Sequence, residues 1–407
     1  TVDDLDRIST THPVMVRHRG GHTVFVNSVA LALAGITRET ADPPGGTFDR
    51  LPDGRLSGRV TDNAIDLLEE KGQRPRIDAA ERARRTRAGL AHISGTFVRY
   101  GLTTVHHQGG DLAAIQDVRA AGQLQHRVNY EAWGGMVDQM IAAGLKTGFG
   151  DDWIRLGATA EHTADGSFSE RTMAMSTPYA GRTPAYYGNI TEPQDVLDAW
   201  VEKVVRAGIQ PNIHANGDVA IGMALTAFER ALARVPVRDL RPKITHCTLV
   251  NESLLKRMAA IGAVPAPFTS YAYYNSDKFG FYGADRMANA MAFRSFLDHG
   301  IKVCAGSDFF PGPFAPLMGI QGMVTRTGWN GETWGANQRV SVMEAIRINT
   351  INGAWAAKEE AIKGSLQAGK LADYVVLAED PTQVKPEKIK DIRIIETVVD
   401  GQARYTA

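Results

Sequence analysis

Apolar and polar positions follow a regular pattern from about residue 76, where amphipathic helical stretches alternate with short apolar, β-branched runs. The first helix is predicted over 78–99, with Asp78 as its N-cap and Gly101 at its end. Further helices are predicted at 111–121, 135–144, 193–206, 218–234, 252–260, 286–299 and 341–356. Seven strands are predicted at 102–106, 126–130, 154–158, 209–214, 243–246, 263–266 and 301–305.

Strands that alternate with helices indicate parallel βα units, and seven such units are one short of a closed (β/α)8 TIM barrel. A doubly wound open sheet is the competing architecture. Polar residues follow the carboxyl ends of four strands: His106, His214, His246 and Asp308. A barrel gathers such ends around one axis, whereas an open sheet sets them in a row. We therefore predict an α/β barrel over 76–361.

Two flanking segments differ from this pattern. Residues 1–75 contain the Pro-Pro-Gly-Gly run 43–46 and show little periodicity, so they are predicted to be a loop-rich cap or insertion before the second barrel strand. Residues 362–407 contain two β-rich runs at 374–377 and 392–399, and the second leads into an Asp-Gly turn. This tail is predicted to form part of a small composite β-sandwich.

Composition narrows the class of protein. The 407 residues are 43% hydrophobic and 22% charged, which is typical of a globular protein. Lys+Arg and Asp+Glu both number 45, so no basic excess favours a nucleic-acid partner. Cys247 and Cys304 cannot build a disulfide framework or a cysteine zinc site, which fits a reducing, cytoplasmic compartment. The apolar runs are far shorter than the roughly 20 residues that span a membrane.

Three strand-end residues are metal-competent: His214, His246 and Asp308. Their separations of 32 and 62 residues match one and two further βα units, so they converge only if the sheet closes. Each alone reads as an ordinary polar strand end, but the three together favour a metal site. Glu161 also follows a strand and is either a further ligand or a solvated loop carboxylate. The neighbouring His162 is expected to face the other way.

Substrate contacts are predicted from strand-end loops. The aromatic density there suggests a partly apolar small molecule, although the same rings could equally be loop anchors. The candidate substrate-binding residues are His22, Trp133, Phe168, Tyr179 and Phe309. The chain has no G-x-S-x-G nucleophile motif and no phosphate-binding glycine loop.

A set of motifs along nearly the whole chain resembles the metal-dependent amidohydrolase superfamily, in particular its YtcJ-like branch, which includes N-substituted formamide deformylases. The segments that carry this resemblance are PVMVRHRGGHTVFVNSVALALAGI (13–36), DPPGG (42–46), ADGSFSERTMAMSTPY (164–179), NIHANGDVAI (212–221), ITHCTLV (244–250), GSDFFPGPFAPLMGI (306–320) and GSLQAGKLADYVVL (364–377). Motifs in this order are specific for the family and uninformative about the substrate.

The resemblance implies a barrel with one or two divalent cations at its mouth. His214 and His246 match the metal-binding histidines of strands 5 and 6, and Asp308 matches the strand-8 aspartate that is both ligand and proton acceptor. Two departures stand out. The strand-1 His-x-His is absent and is expected upstream of Thr1, with the first barrel strand. Glu161 stands where the branch usually has a lysine, so it either bridges two cations or serves a single one.

The resulting functional prediction is hydrolysis of an amide-like C–N bond in an N-acyl, formamide or cyclic amide compound. A cation, with zinc expected and iron or manganese as alternatives, activates water while Asp308 transfers the proton and His246 helps to polarise the carbonyl. The alternatives are deamination of a heterocycle and a non-catalytic binding protein on a degraded barrel. No nucleic acid or membrane partner is expected, and a homo-oligomer is compatible with the sequence.

Overall fold

The computed structural model describes residues 1–70 and 77–407. The predicted boundary between cap and barrel, between residues 75 and 76, lies outside the described residues. The division into 1–75, 76–361 and 362–407 therefore stays a prediction, and the three stretches are described in turn.

An antiparallel sheet of four strands, in the order β1-β2-β4-β3, organises the first 70 residues. Val24, Val26 and Val60 pack with Phe48 into a separate hydrophobic cluster under this sheet. The sheet was not predicted for this stretch, which was expected to be loop-rich. Its strands are short, and strand 23–26 buries two adjacent residues, so it lacks the alternating pattern that indicates a strand. The elements are α1 (Val2–Asp6), β1 (Met15–Arg17), β2 (Thr23–Val26), α2 (Ser28–Leu33), β3 (Gly46–Arg50), β4 (Leu56–Asp62) and α3 (Ala64–Glu69).

Alternating helices and parallel strands follow, as predicted. Asp78 caps the first long helix by accepting from the backbone N–H groups of Ala80 and Glu81. The elements are α4 (Ala79–Arg99), β5 (Thr104–Gln108), α5 (Leu112–Ala120), β6 (Arg127–Ala132), α6 (Gly135–Ala142), β7 (Ile154–Thr159), β8 (His162–Thr163), α7 (Gln194–Arg206), β9 (Asn212–Ala215), α8 (Asp218–Arg234), β10 (Lys243–His246), α9 (Glu252–Ile261) and β11 (Val264–Ala266).

Helices dominate the part of the chain after β11. The helix predicted at 341–356 is divided at Thr350, whose backbone is not helical, and the one predicted at 286–299 is shorter. None of the helices in the described residues is long and apolar enough to cross a membrane. The helices are α10 (Tyr271–Tyr274), α11 (Gly283–Met287), α12 (Phe293–Asp298), α13 (Pro316–Thr325), α14 (Val342–Asn349) and α15 (Ile351–Ala356), with 3-10 turns at Ser276–Phe281, Ala336–Gln338 and Pro386–Asp391.

The parallel strands form two sheets, β5-β6-β7 and β8-β9-β10-β11, that meet where the Thr159 N–H donates to the Gln210 carbonyl at 2.8 Å. The predicted strand 301–305 is irregular, but its end pairs with the β11 side through a parallel bridge between Phe268 and Gly306. In the described residues β5 pairs only with β6, so hydrogen bonds do not close the ring. The predicted closed (β/α)8 barrel is thus an incomplete ring here.

Contacts across the interior show that this ring is strongly curved. The Lys243 ammonium on β10 donates to the Glu131 carboxylate on β6, and Gln108 of β5 reaches Thr245 at 3.4 Å. In a flat sheet three strand spacings would separate β6 from β10 by about 14 Å. The strands are therefore wrapped as in a barrel, and their carboxyl ends share one mouth.

The C-terminal tail forms the predicted antiparallel hairpin within a three-stranded sheet, in the order β12-β13-β14. Arg127, at the start of β6, is buried and binds Asp373 and Asp400 of this tail. These ion pairs fix the sheet to the end of the ring that lies opposite the strands' carboxyl ends. The strands are β12 (Tyr374–Leu377), β13 (Ile394–Val399) and β14 (Gln402–Thr406).

Candidate metal centre and its adjoining cleft

Three side chains with metal-binding atoms meet at the mouth of the ring. One ligand atom from each of Glu161, His214 and His246 lies within 4.8 Å of the other two. Glu161 Oε2 is 3.2 Å from His246 Nε2 and 3.5 Å from His214 Nδ1. The two imidazole rings stand edge to face, with their centroids 4.4 Å apart. The structure thus brings together three of the four predicted ligands.

Strand register places these groups. In the parallel pairing of β9 with β10, His214 lies opposite Thr245, and His246 is one residue further towards the mouth. Thr163 of β8 also pairs with His214, and Glu161 lies just before β8 and just after the carboxyl end of β7. The backbone of His246 is held in the left-handed region, with φ of 72°, a strained conformation that points to a functional constraint.

Charge in the cluster is shared between one carboxylate and two imidazoles. Glu161 Oε2 is shielded from solvent, pairs with the two imidazoles and, among the described residues, makes no geometrically well-aligned hydrogen bond. Burial opposes its ionisation, but the two imidazoles outweigh burial and hold the pKa of Glu161 well below its usual range. Burial lowers the pKa of His246, whereas Glu161 and Asp308 raise it by more, so its pKa is raised. Two imidazoles and a carboxylate form a donor set that Zn²⁺ accepts, so these residues fit a bound divalent cation.

The carboxylate of Asp165 lies beside the His214 ring. This buried carboxylate accepts from the backbone N–H groups of Ala174, Asn216 and Gly217 at 2.8 to 2.9 Å. Its Oδ1 lies 3.6 Å from His214 Nε2. Burial raises the pKa of Asp165 despite these partners. The carboxylate therefore ties the loop after β8 to the loop after β9 and holds His214 in place.

His22 reaches the centre from the N-terminal sheet. Its Nδ1 donates to Asp62 Oδ1 at 2.8 Å, and Asp62 Oδ2 accepts from Asn189 at 2.6 Å. The His22 ring lies 5.1 Å from that of His214. A carboxylate that fixes one ring nitrogen leaves the other nitrogen to meet a ligand or substrate. The predicted substrate-binding residue His22 is thus beside the cluster.

Asp308 lies outside the group of Glu161, His214 and His246. Its Oδ2 accepts from the hydroxyl of Tyr271 at 3.0 Å, and its backbone is left-handed, with φ of 54°. Burial and the charge of Asp308 raise the pKa of Tyr271, so the phenol keeps its proton. The Tyr271 ring stacks on Phe268 and Phe268 stacks on His246, with centroids 3.9 and 4.4 Å apart. Asp308 is therefore linked to the cluster through two rings, and its metal ligation stays a prediction.

A cleft of about 370 Å³ opens beside the metal-competent cluster. The predicted substrate-binding residues His22 and Trp133 line it together with Glu161. His162 donates from Nε2 to Glu192, so its ring points away from the metal cluster, as predicted. His162 nevertheless lines the same cleft. The cleft therefore joins the metal-competent groups to a larger binding surface.

The remaining predicted aromatic contacts lie elsewhere. Phe168 is buried against Phe279 and Tyr282, and the buried Tyr179 donates its hydroxyl to the Met173 carbonyl at 3.0 Å. The structure places both rings in the core, and a substrate contact stays a prediction for them. Phe309, next to Asp308, is half exposed and packs edge to face on Phe97 and Phe314.

Three side chains support predicted site residues in a way that the sequence did not reveal. The pattern at 165–167 predicts a turn around Asp165, and Asp62 and Tyr271 were not predicted as partners of His22 and Asp308. The Asp-Gly pair at 165–166, within a family motif, was the available signal for the first. Nothing local marks the other two, because each acts through a residue 37 or 40 positions away.

Comparisons with known proteins agree with this architecture. The sequence model of the amidohydrolase family matches residues 1–405. The chain is 28% identical over 420 residues to YtcJ of Bacillus subtilis (strain 168), whose name assigns it to the amidohydrolases, with 100% of this chain and 76% of YtcJ covered. It is 26% identical over 413 residues to the N-substituted formamide deformylase of Arthrobacter pascens, with 99% of this chain and 75% of that enzyme covered.

Solved structures show the same fold. A metal-dependent hydrolase from Pyrococcus horikoshii OT3 superimposes with a TM-score of 0.70 at 20% identity, covering 95% of this chain and 75% of that one. A Xaa-Pro dipeptidase gives a TM-score of 0.52 at 17% identity, covering 83% of this chain and 82% of that one. Taken with the family match over nearly the whole chain, the protein belongs to the amidohydrolase family and is a hydrolase of C–N bonds other than peptide bonds.

Proposed function

We propose that this protein hydrolyses an amide-like C–N bond in a small molecule of the N-acyl, formamide or cyclic amide class, with the help of a divalent cation. Glu161, His214 and His246 would hold the cation, and Asp308 would handle the proton. The observation that carries the proposal is the convergence of the solvent-shielded Glu161 Oε2 with one nitrogen of each of two imidazoles, all within 4.8 Å of one another. A buried carboxylate in this setting is best accounted for by a cation.

A bound cation of this kind lowers the pKa of water towards neutrality and polarises a carbonyl group. Asp308 accepts the proton of the attacking water and returns it to the departing nitrogen. Tyr271 donates to Asp308 Oδ2, so Oδ1 is the oxygen free to accept that proton. His22, fixed by Asp62, orients the substrate at the edge of the cluster.

Zinc is the expected cation, with iron or manganese as alternatives, because imidazole and carboxylate ligands suit all three. Glu161 would help to hold either one cation or two, and the measured metal stoichiometry distinguishes these possibilities. The named activity of the Arthrobacter relative supports N-substituted formamides as the first substrates to test. Two free, buried cysteines fit a reducing compartment such as the cytoplasm.

Asp308→Asn tests the proton transfer. We expect turnover of an N-substituted formamide to fall by about 10²–10⁴-fold because the amide cannot accept the proton. Metal content, measured by elemental analysis of the purified protein, should stay close to that of the unmodified protein. Asp298→Asn, at the end of an outer helix, is the matched control and should leave both quantities unchanged.

The proposal fails if the purified protein holds less than a tenth of an equivalent of any transition metal and added zinc, iron or manganese restores neither binding nor turnover. It also fails in its assignment of Asp308 if the Asn variant retains full turnover. Release of formate or another acid, followed together with release of the amine, identifies the bond that is cleaved.

A further inference from the structure

We infer that the cleft beside the metal cluster binds the nitrogen substituent of the substrate, and that it selects a flat group carrying an ammonium or another N–H donor over one carrying a carboxylate. The inference rests on the proposed hydrolysis and names the substrate class. Glu192 is the specificity-determining residue that we assign. His162 and Trp200 position it and complete the pocket.

The cleft is continuous with the metal-competent cluster. Glu161, which belongs to the cluster, and His22, whose ring lies 5.1 Å from His214, both line it. A substrate with its scissile bond at the cluster therefore extends its adjoining substituent into this space. At about 370 Å³ the cleft has room for a group the size of a substituted aromatic ring.

Apart from His22 and His162, the titratable groups of the described residues that line the cleft are carboxylates. Three carboxylate side chains line it, from Asp62, Glu161 and Glu192, and in the part of the chain that the structure describes no lysine or arginine does. Burying a substrate carboxylate against such walls would bring like charges together without a partner. A substrate cation or N–H donor would instead gain acceptors.

Two of the three carboxylates already have assigned partners. Asp62 accepts from His22 through Oδ1 and from Asn189 through Oδ2. Glu161 faces the two imidazoles of the metal cluster. Glu192 accepts from His162 Nε2 through Oε1 at 2.6 Å, and in the described residues no hydrogen bond reaches its Oε2. Glu192 Oε2 is therefore the acceptor available to a substrate.

Aromatic rings give the cleft its preference for a flat group. The His162 ring stacks on Trp200 with centroids 4.1 Å apart and planes tilted by 21°. Trp133 lines the same cleft and is 58% exposed, so much of its indole surface is open to a ligand. Indole faces attract both flat rings and cations. An aromatic group that carries an ammonium can therefore stack on the indole rings and donate a hydrogen bond to Glu192.

Three probes of one shape test the inference: N-phenethylformamides that carry a methyl, an aminomethyl or a carboxylate group at position 4 of the ring. With the metal-loaded enzyme we expect kcat/KM to be highest for the aminomethyl probe and lowest for the carboxylate probe. A charge-assisted hydrogen bond is worth about tenfold to a hundredfold in this comparison. Equal values for the three, or a preference for the carboxylate, would overturn the inference and leave the proposed hydrolysis intact.

Glu192→Gln keeps the size of the side chain and its acceptor for His162 but removes the charge. We expect kcat/KM for the aminomethyl probe to fall by about tenfold to a hundredfold, with the methyl probe changed by less than about threefold. Asp195→Asn, three residues away on the exposed surface, is the matched control and should leave all three values unchanged. A uniform loss over all probes in Glu192→Gln would mean that Glu192 has only a structural role.

Binding of benzylammonium and of benzoate, measured by calorimetry on the same protein, needs no turnover. It therefore tests the cleft assignment independently of the proposed hydrolysis. If no probe is hydrolysed but benzylammonium binds more tightly than benzoate, and Glu192→Gln abolishes the difference, the cleft assignment stands and the proposed reaction falls. If neither ion binds, or if benzoate binds more tightly, the cleft assignment is wrong.

Discussion

Two buried polar clusters share strand β10 and differ in the groups that balance their carboxylates. The outer cluster, Glu161 with His214 and His246, sits at the carboxyl ends, whereas the inner cluster joins Glu131 of β6 to Lys243 of β10. His106 Nδ1 lies 3.5 Å from Glu131 in the inner cluster. Lys243 and His246 belong to one four-residue strand, so the chain builds both environments within about 10 Å of backbone.

The difference lies in where the positive charge comes from. Burial opposes ionisation of Glu131, but Lys243 and His106 outweigh it and lower the pKa of that carboxyl. Glu161 in the outer cluster pairs with two imidazoles and, among the described residues, no ion pair joins it to a lysine or arginine. A buried carboxylate needs a positive partner: the inner cluster has a lysine, whereas the outer one has imidazoles, which can also bind a metal ion.

Two buried histidines, His246 and His126, also differ in whether a carboxylate lies beside them. His246 meets a carboxylate and has a raised pKa. His126 is fully buried, bonds to Ser94 Oγ at 2.8 Å and stands edge to face against Phe97, with no carboxylate among the groups that shift it. Burial, followed by the charge of His107, lowers the pKa of His126 to about 3. The carboxylate beside His246 therefore favours the charged imidazole, whereas burial without a carboxylate keeps His126 neutral.

The largest effect is expected from removing a ligand of the outer cluster. His246→Gln should lose most of the bound metal and reduce turnover by about a thousandfold or more, because the cation supplies several kcal/mol of transition-state stabilisation. Elemental analysis and an amine-release assay measure the two losses. His299→Gln, on an outer helix end, is the matched control. Full metal content in His246→Gln would contradict the assignment of the outer cluster as a metal site, because His246 would then not be a ligand.

An intermediate effect is expected at the inner cluster. Lys243→Met leaves Glu131 buried without its cation and should lower the free energy of unfolding by about 3–5 kcal/mol. Urea unfolding measures this change, and metal content should persist in the folded protein because Lys243 is not a member of the outer cluster. Adding Glu131→Gln to Lys243→Met should recover at least half of the loss. A double variant as unstable as the single one would show that packing, not charge, dominates there.

The smallest effect concerns His126. Unfolded chains take up a proton near the ordinary imidazole pKa of 6.5, whereas folded His126 does so only near pH 3. Stability is therefore lost as the pH falls below 6.5, and over the measured interval from pH 6.5 to 5 this residue accounts for at most about 2 kcal/mol. His126→Asn should flatten the fall in urea stability between pH 6.5 and 5, while the exposed His92→Asn should not. An unchanged slope in His126→Asn would show that other groups cause it.

Much of the ring was predictable because its signals are local. The strand predicted at 243–246 is β10 itself, and the helix predicted at 78–99 differs from α4 by one residue. Helix caps, glycine stops and apolar runs are read within a few residues. The N-terminal sheet was missed because β2 buries neighbouring positions and its partner β4 lies over thirty residues away. Which edges of the ring meet was not predictable, because strand count alone does not specify it.

The sequence by itself determined the alternation of helices and strands and placed His214, His246 and Glu161 at strand ends. Only the tertiary structure decided that these three meet, that Asp308 is linked to them through rings, and that Trp133 lines a cleft while Phe168 joins the core. The physical reason is the distance along the chain over which each feature is set. The pattern of one strand determines which of its faces is buried, whereas the curvature of the whole sheet determines the distance between side chains of different strands.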